Sequence, residues 1–219
     1  AIMSPGEFCY FDSYQDAPDS QPEAIGGYLP LSKVYSFNPV PDTLSADKVQ
    51  LVYGVQANLF TEYIPTPEHA EMMIYPRILA LAEVAWSAPS VKNYDDFHVR
   101  ALKEVEALKA EGYHPFELKN EIGNRPGADQ PVQHLAVGKK VAYGPDAAYY
   151  PGYSAGGDSA LVDGVIGGWT YGDRRWQGFI DKKRMDVTID MEKETEIHSV
   201  GADFMQVCGP EVFMPSEVI

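Results

Sequence analysis

The sequence predicts an α/β segment followed by an all-β one, and three observations carry that reading. Two short apolar runs, Glu7 to Asp12 and Val52 to Phe60, are bounded by turn residues and read as buried strands. Two amphipathic helical patterns follow the second run. Beyond residue 125 the chain changes to short period-two alternation between segments rich in Gly and Tyr. Strand, loop, strand, helix, helix fits two successive strands of an α/β architecture. It cannot by itself close a barrel, which needs eight strands to leave no open edge.

Between the two expected strands lies an irregular stretch from Asp16 through Pro41, too long for a simple turn, in which Leu31 to Phe37 is expected to hold a short helix. Thr66 and Pro67 then supply an N-cap and a Pro at the first helical position. Ala70, Ile74, Ile78, Leu81 and Ala85 recur at steps of four and three, which predicts a core-facing helix to about Trp86. Pro76 removes one backbone donor inside it, so a bend is expected near Met72. A second helix is expected after Asn93 as cap, with Phe97, Ala101, Val105 and Leu108 on one face and Gly112 just past its end.

The segment NEIGNRPGADQPVQ has no apolar period and reads as a linker, so the expected division is residues 1–120, a linker at 121–133, and residues 134–219. Downstream, Met185, Val187, Ile189 and Met191 alternate with Asp186, Thr188 and Asp190 as in a half-buried strand. Ile197, Val200, Ala202 and Phe204 predict another strand with an irregularity, and Glu217 to Ile219 read as one more beginning.

With 219 residues and 45% apolar content the chain can bury a real core. Seventeen Lys and Arg against 32 Asp and Glu give a net charge of −15, whose field repels phosphate backbones and anionic lipid. Nucleic acid is therefore not an expected partner. A neutral, sugar-like ligand is compatible with this surface, and so is a plain solubility role for the charge. No run approaches the roughly 18 apolar residues of a membrane span, and the first residues, AIMSPGEFCYFD, lack the basic and apolar regions of a signal peptide. Cys9 and Cys208 lie far apart, so neither a disulfide framework nor a Cys-based zinc site is expected.

Alternation along a strand places Phe8, Tyr10 and Asp12 on one face of the first run, and Asn58, Phe60 and Glu62 on one face of the second. An acid closes each run. In an α/β barrel the C-terminal strand ends form the active-site mouth, so these residues are candidates to line one pocket. Read as residues alone, Asp12 equally starts a turn, Glu62 equally caps a helix, and Tyr10 and Phe60 equally fill a core.

GVQANLFTEYIPTPEHAEMMIYPRILALAEVAWS, from Gly54 to Ser87, resembles the last barrel strand and helix of glycoside hydrolase family twenty, and CYFDSYQ, Cys9 to Gln15, resembles the Tyr-X-Asp element on that family's preceding strand. The resemblance spans roughly residues 3 to 117. It implies the C-terminal portion of a (β/α)8 barrel from a β-N-acetylhexosaminidase, an exo-acting enzyme that hydrolyses terminal N-acetylhexosamine residues without a cofactor. It also implies substrate-assisted retaining catalysis, in which the 2-acetamido carbonyl attacks the anomeric carbon. The family's Asp-Glu pair belongs to an earlier barrel strand, supplied by the rest of the barrel in a parent chain, and no His-X-Gly-Gly-Asp-Glu segment occurs here.

Carried over by position, the resemblance gives Tyr10 the task of orienting the acetamido oxygen. Asp12 and Glu62 accept the outer hydroxyls of the sugar, O6 and O4. Phe60 stands where the family has Trp and forms an apolar wall under the ring. Tyr63, Tyr75 and Arg77 belong to the match and read as structural, and Glu83 is expected to pair with Arg77 or to cap a buried donor.

HLAVGKKVAYG, GGDSALVDGVIGGWTYGDRRWQGF and MDVTIDMEKETEIHSVGADFMQ resemble the first part of a discoidin-like, coagulation-factor C-type sandwich. Some such modules bind sugar and hold a structural Ca²⁺ near an Ala-X-X-Asp-Gly turn. Asp163 is then the natural ligand, although Asp163 and Gly164 equally form a tight turn. Trp169, Tyr171 and Trp176 are candidates for a sugar platform or for sandwich packing. Glycosidases with such modules act in the periplasm or outside the cell, which is the expected location. The competing reading is a non-enzymatic glycan-binding protein in which this module matters and the barrel part supports it. A third is a different barrel glycosidase using Asp12 and Glu62 as its own acid and nucleophile.

Overall fold

The computed structural model describes residues 1–182, 184–207 and 210–219, so Cys208 lies outside the described residues. The chain divides into two compact units, Ala1–Pro126 with Gly168–Asp173, and Gly127–Gly167 with Arg174–Ile219.

In the first unit β1 (Ile2–Met3) runs parallel to β2 (Gly54–Val55), with Ile2 opposite Gly54 and Met3 opposite Val55. The two segments meet again further on, where Tyr10 and Asn58 form a parallel bridge. The strand expected from Glu7 to Asp12 is not formed. Gly6–Cys9 is a helical turn, α1, closed by Phe8 and Cys9 N–H groups donating to the Pro5 carbonyl at 3.1 and 3.0 Å. The sequence cannot separate these cases, because a short apolar run fits a buried strand and a buried helical turn equally. The second expected strand contracts to β2 and the Asn58 bridge for the same reason.

The expected short helix is α2 (Leu31–Tyr35), and a further turn, α3 (Ala46–Val49), carries no buried residue. The Thr66 cap is real, its side chain accepting from the His69 N–H at 3.2 Å at the start of α4 (Pro67–Ile74). The single bent helix becomes two. Tyr75 is extended, the Tyr75–Pro76 peptide is cis, and α5 (Arg77–Trp86) starts afresh. The break changes the phase of the buried stripe, so Met73, Ala80, Leu81 and Val84 are buried while Ala85 faces outward.

The last helix, α6 (Tyr94–Ala110), follows expectation. Asn93 Oδ1 accepts from the Asp96 N–H at 3.1 Å, Phe97, Ala101 and Val105 are buried, and Gly112 takes φ of 92° past the end. Only Gly adopts that backbone conformation readily, which ends the helix there. Tyr35 joins α2 to both long helices. Its ring stacks on Phe97 at 4.6 Å, its hydroxyl donates to Glu83 at 2.8 Å and accepts from the Asn93 N–H at 2.9 Å. Glu83 also takes both prongs of Arg100, at 2.7 and 2.9 Å. Its partners are thus Arg100 and Tyr35, and Arg77 is not among them.

In the second unit β3 (Lys140–Tyr143) and β4 (Val187–Asp190) pair antiparallel, from Lys140 opposite Asp190 to Tyr143 opposite Val187. Gly144 extends the ladder by donating to the Asp186 carbonyl at 2.9 Å. Trp176 packs against Gly167 so closely that a Cβ there would lie 2.2 Å from the indole, which is why the position holds Gly. Residues 197–204 form no strand, and Val200 is 90% exposed. Alternation is insufficient without a neighbouring edge to supply hydrogen bonds, and among the described residues the only other pairing in this unit is the Val207–Val212 bridge. Glu217 to Ile219 likewise lie outside any strand.

Phe97 and Asn93 report on different links of this fold. Phe97→Ala empties a fully packed site and should cost about 3 to 5 kcal/mol in urea unfolding of the chain. Asn93→Ala removes only a cap and should cost about 1 kcal/mol. A Phe97→Ala loss no larger than the cap's would mean that α6 is not held by this core.

Candidate functional site

The segment from Tyr10 to Asp16 runs through the interior of the first unit. Phe11, Asp12, Gln15 and Asp16 are all buried. On one side the Phe11 N–H donates to the Asn58 carbonyl and the Asn58 N–H to the Cys9 carbonyl, both at 2.8 Å. On the other, Tyr14 bridges to Tyr28, and the Leu29 N–H donates to the Tyr14 carbonyl at 2.8 Å. Backbone pairing on both sides therefore fixes where Tyr10 and Asp12 stand.

The Tyr10–Asn58 bridge brings Phe60 alongside Tyr10. Their rings lie 5.7 Å apart at 45°, a tilted aromatic pair, and both are substantially exposed. Glu62 follows on a turn closed by the Ile64 N–H donating to the Thr61 carbonyl at 3.2 Å, and the buried Ile64, with Ala24 and Met73, anchors that turn. Glu62 is exposed and lies near enough for its charge to act on Asp12. The four residues singled out in the sequence thus come from two segments that lie side by side, although the strand alternation invoked for the first does not exist there.

Asp12 is held above the ordinary carboxylate range. Burial is the main cause; its own backbone N–H and the Arg77 guanidinium pull the other way, and Glu62 adds to the rise. Arg77, structural by its place in the sequence match, has more definite work in the structure. It is fully buried and bonds to backbone carbonyls rather than to a carboxylate. One signal was available: an Arg inside the apolar run Met72 to Leu81 must find acceptors.

Asp16 is a further buried acid that the sequence does not single out. Its two carboxylate oxygens accept from the Ile122 and Gly123 N–H groups at 2.7 and 2.9 Å, which ties the end of the first unit to the site segment. Glu121 beside this clamp is raised to about 7 by burial, with the Asp16 charge adding to it, and faces His98 at 4.0 Å. Such a long-range clamp between a side chain and turn amides leaves no mark in local sequence.

Asp163 in the second unit accepts from the Val165 N–H at 2.7 Å, and Gly164 takes φ of 82°. That is an Asx turn closed by a Gly. A hard cation takes six to eight oxygens, and among the described residues no group of three His, Cys, Asp or Glu side chains is placed to hold a metal ion. The contact recorded for Asp163 is that of the turn. Trp169 donates its indole N–H to the Gly123 carbonyl at 2.8 Å within the first unit, while Tyr171 is exposed. A shallow groove between α5 and α6, lined by Ala82, Trp86, Arg100 and Glu104, contains none of the four candidate residues.

Residues 1–89, which carry all four, match the model of the glycosyl hydrolase family 20 catalytic domain. The beta-hexosaminidase of Porphyromonas gingivalis is 48% identical over 97 residues, 44% of this chain and 12% of its own length. The beta-N-acetylhexosaminidase of Cellulomonas fimi is 33% identical over 104 residues, 48% of this chain and 21% of its own. Among solved structures, the N-acetyl-beta-hexosaminidase of Streptomyces plicatus superposes with a TM-score of 0.47 at 28% identity, covering 52% of this chain and 23% of that one. The chain thus spans about an eighth and a fifth of the two curated relatives' lengths.

Glu121 makes the stability of the first unit depend on pH. Its carboxyl is raised in the folded chain from an ordinary value of 4.5 to about 7, so the folded state binds the extra proton between those values. Its destabilisation is fully present above pH 7 and is relieved as pH falls toward 4.5. Glu121→Gln should therefore stabilise the chain at pH 8 by on the order of a few kcal/mol and change little near pH 4. Equal effects at both pH values in denaturant titrations would contradict the shifted carboxyl.

Proposed function

We propose that residues 1–120 are the last part of the (β/α)8 barrel of a family 20 β-N-acetylhexosaminidase, an enzyme that removes terminal β-linked N-acetylhexosamine from glycans. The observation that carries the reading is the grouping of Tyr10, Phe60, Asp12 and Glu62 on two paired segments inside the family-matched region. Two rings in tilted contact offer an apolar wall, and two carboxylates offer acceptors for ring hydroxyls.

In this reading the acetamido carbonyl oxygen of the substrate bonds to its own anomeric carbon as the glycosidic bond breaks. The leaving oxygen takes a proton from an acid on the barrel strands that precede this segment. Tyr10 donates its hydroxyl hydrogen to the acetamido group and so holds its oxygen for attack. Asp12 and Glu62 accept O6 and O4, and fix the ring against rotation. A cofactor has no step in this scheme. Water then attacks the anomeric carbon and gives its proton to that same, now ionised, acid of the preceding strands, while the bond from the acetamido oxygen breaks, with net retention.

Residues 134–219 we read as the first part of a discoidin-like module. Two of the resembling segments, around Val141 and around Val187, pair antiparallel as β3 and β4, which supports that reading. Since glycan-degrading enzymes with such modules work beyond the cytoplasm, a periplasmic or extracellular location follows by analogy. The glycan-binding alternative has less behind it, because Trp176 is engaged against Gly167 rather than presented.

The complete enzyme carrying this segment should release a chromogenic aglycone from an N-acetyl-β-glucosaminide. Glu62→Gln there should lower kcat/KM about 10- to 100-fold, the loss of one charge-assisted hydrogen bond, and mainly through KM. Tyr10→Phe should act mainly on kcat. A Glu62→Gln loss of five orders or more would identify Glu62 as a nucleophile and overturn the substrate-assisted scheme.

A further inference from the structure

We infer that Arg77 is the positioning residue for Asp12: from α5 its guanidinium clamps the backbone on both sides of that carboxylate and supplies its counter-charge. The inference deepens the reading of Asp12 as a sugar-hydroxyl acceptor and rests on it for its functional consequence.

A guanidinium has five N–H donors in a rigid plane. Here all five are used. Nε donates to the Met73 carbonyl at 3.1 Å; Nη1 donates to Ser13 and Leu29 at 2.9 and 3.1 Å; Nη2 donates to Phe11 and Met73 at 2.5 and 2.6 Å. Phe11 and Ser13 are the residues on either side of Asp12. Their carbonyls are gripped by the two terminal nitrogens of one planar group, and the Phe11 ring lies under the same group at 4.9 Å. Residues 11 to 13 cannot turn without breaking that fork.

Every acceptor is a neutral carbonyl, so the donors by themselves do not neutralise the charge. A fully buried cation surrounded by neutral acceptors is costly unless a counter-charge stands near. Asp12 is that charge: it opposes the pull of burial on Arg77, which stays at about 9 and thus protonated at neutral pH. In return Arg77 favours the ionised form of Asp12 against burial and against Glu62. These two, with the Asp12 backbone N–H, are the groups that act on the Asp12 carboxyl. An ionised, fixed carboxylate is what a sugar hydroxyl needs as acceptor.

A purely structural Arg77 would affect stability alone, so two measurements separate the roles. The Asp12 carboxyl carbon, followed by NMR in this chain, should titrate at higher pH in Arg77→Gln than in the wild type, and close to the wild type in Arg77→Lys, which keeps the charge. Identical midpoints in all three would overturn the inference. Since Arg77→Gln removes a buried anchor and can prevent folding, the second test uses Arg77→Lys in the complete enzyme with N-acetyl-β-glucosaminide and its 6-deoxy analogue. Lys cannot hold both flanking carbonyls in plane, so KM should rise about tenfold for the 6-hydroxy substrate and hardly change for the analogue, which offers Asp12 nothing. An equal rise for both would show Arg77 to be structural and overturn the inference. A wild-type enzyme that does not distinguish the two substrates would instead count against Asp12 as the O6 acceptor, and the titration then decides the role of Arg77 by itself.

Discussion

A guanidinium without access to water has to satisfy five donors and one charge at once, and the interior of the first unit is arranged around that requirement at Arg77. The four carbonyls it reaches belong to Phe11, Ser13, Leu29 and Met73, three stretches of chain that share no local sequence relationship. The irregular loop before α2, the end of α4 and the site segment are thereby held by one side chain. Hydrophobic packing alone is tolerant of small shifts. A planar fork of hydrogen bonds is far less so, which explains how a segment with almost no regular strand still has a defined place.

The second fixed point is Tyr35, and it works differently. Its ring contributes buried area against Phe97, while its hydroxyl joins the start of α6 to Glu83 on α5. Glu83 in turn carries the exposed Arg100, and such a surface pair contributes little on its own. What matters is that Glu83 is an acceptor for the phenol of a buried Tyr. These contacts fix α5 from its outer side as Arg77 fixes it from the inner side. The helix that bears Arg77 is thus itself held in register with α2 and α6.

Legibility in the sequence followed the range of the interactions. Caps are local, so Thr66, Asn93 and Gly112 could be read directly and the structure has them at work. Pro76 was legible as a disturbance but not as a full break, because its effect depends on Tyr75 taking an extended backbone. The run from Glu7 to Asp12 shows the limit of periodicity: Pro5 opens a helical turn where alternation suggested a strand. Tyr10 and Phe60 nevertheless meet, since the Asn58 bridge does the work assigned to the strand. The partners of Arg77 and Asp16 lie 48 to 107 residues away, apart from Met73, and no window along the chain contains them. In the second unit, alternation from Met185 was legible as a strand because β3 supplies its edge, although Met185 and Ile189 are exposed rather than half-buried, and alternation from Ile197 misled because nothing described supplies one.

The two buried acids of the site segment are held in different ways. Asp12 and Asp16 lie four residues apart and are equally hidden in an acidic chain, so composition treats them alike. Asp16 has both oxygens committed to the Ile122 and Gly123 amides, which satisfies the charge and fixes the backbone of the turn. Asp12 receives its own amide and the field of a guanidinium whose donors all point elsewhere. One amide on each Asp16 oxygen fixes that carboxylate in the turn, whereas the Arg77 field opposes the rise that burial imposes on Asp12. Burial raises the Asp12 carboxyl, and the guanidinium of Arg77 is the charge that opposes that rise, while Tyr10 and Phe60 pair on the two neighbouring segments.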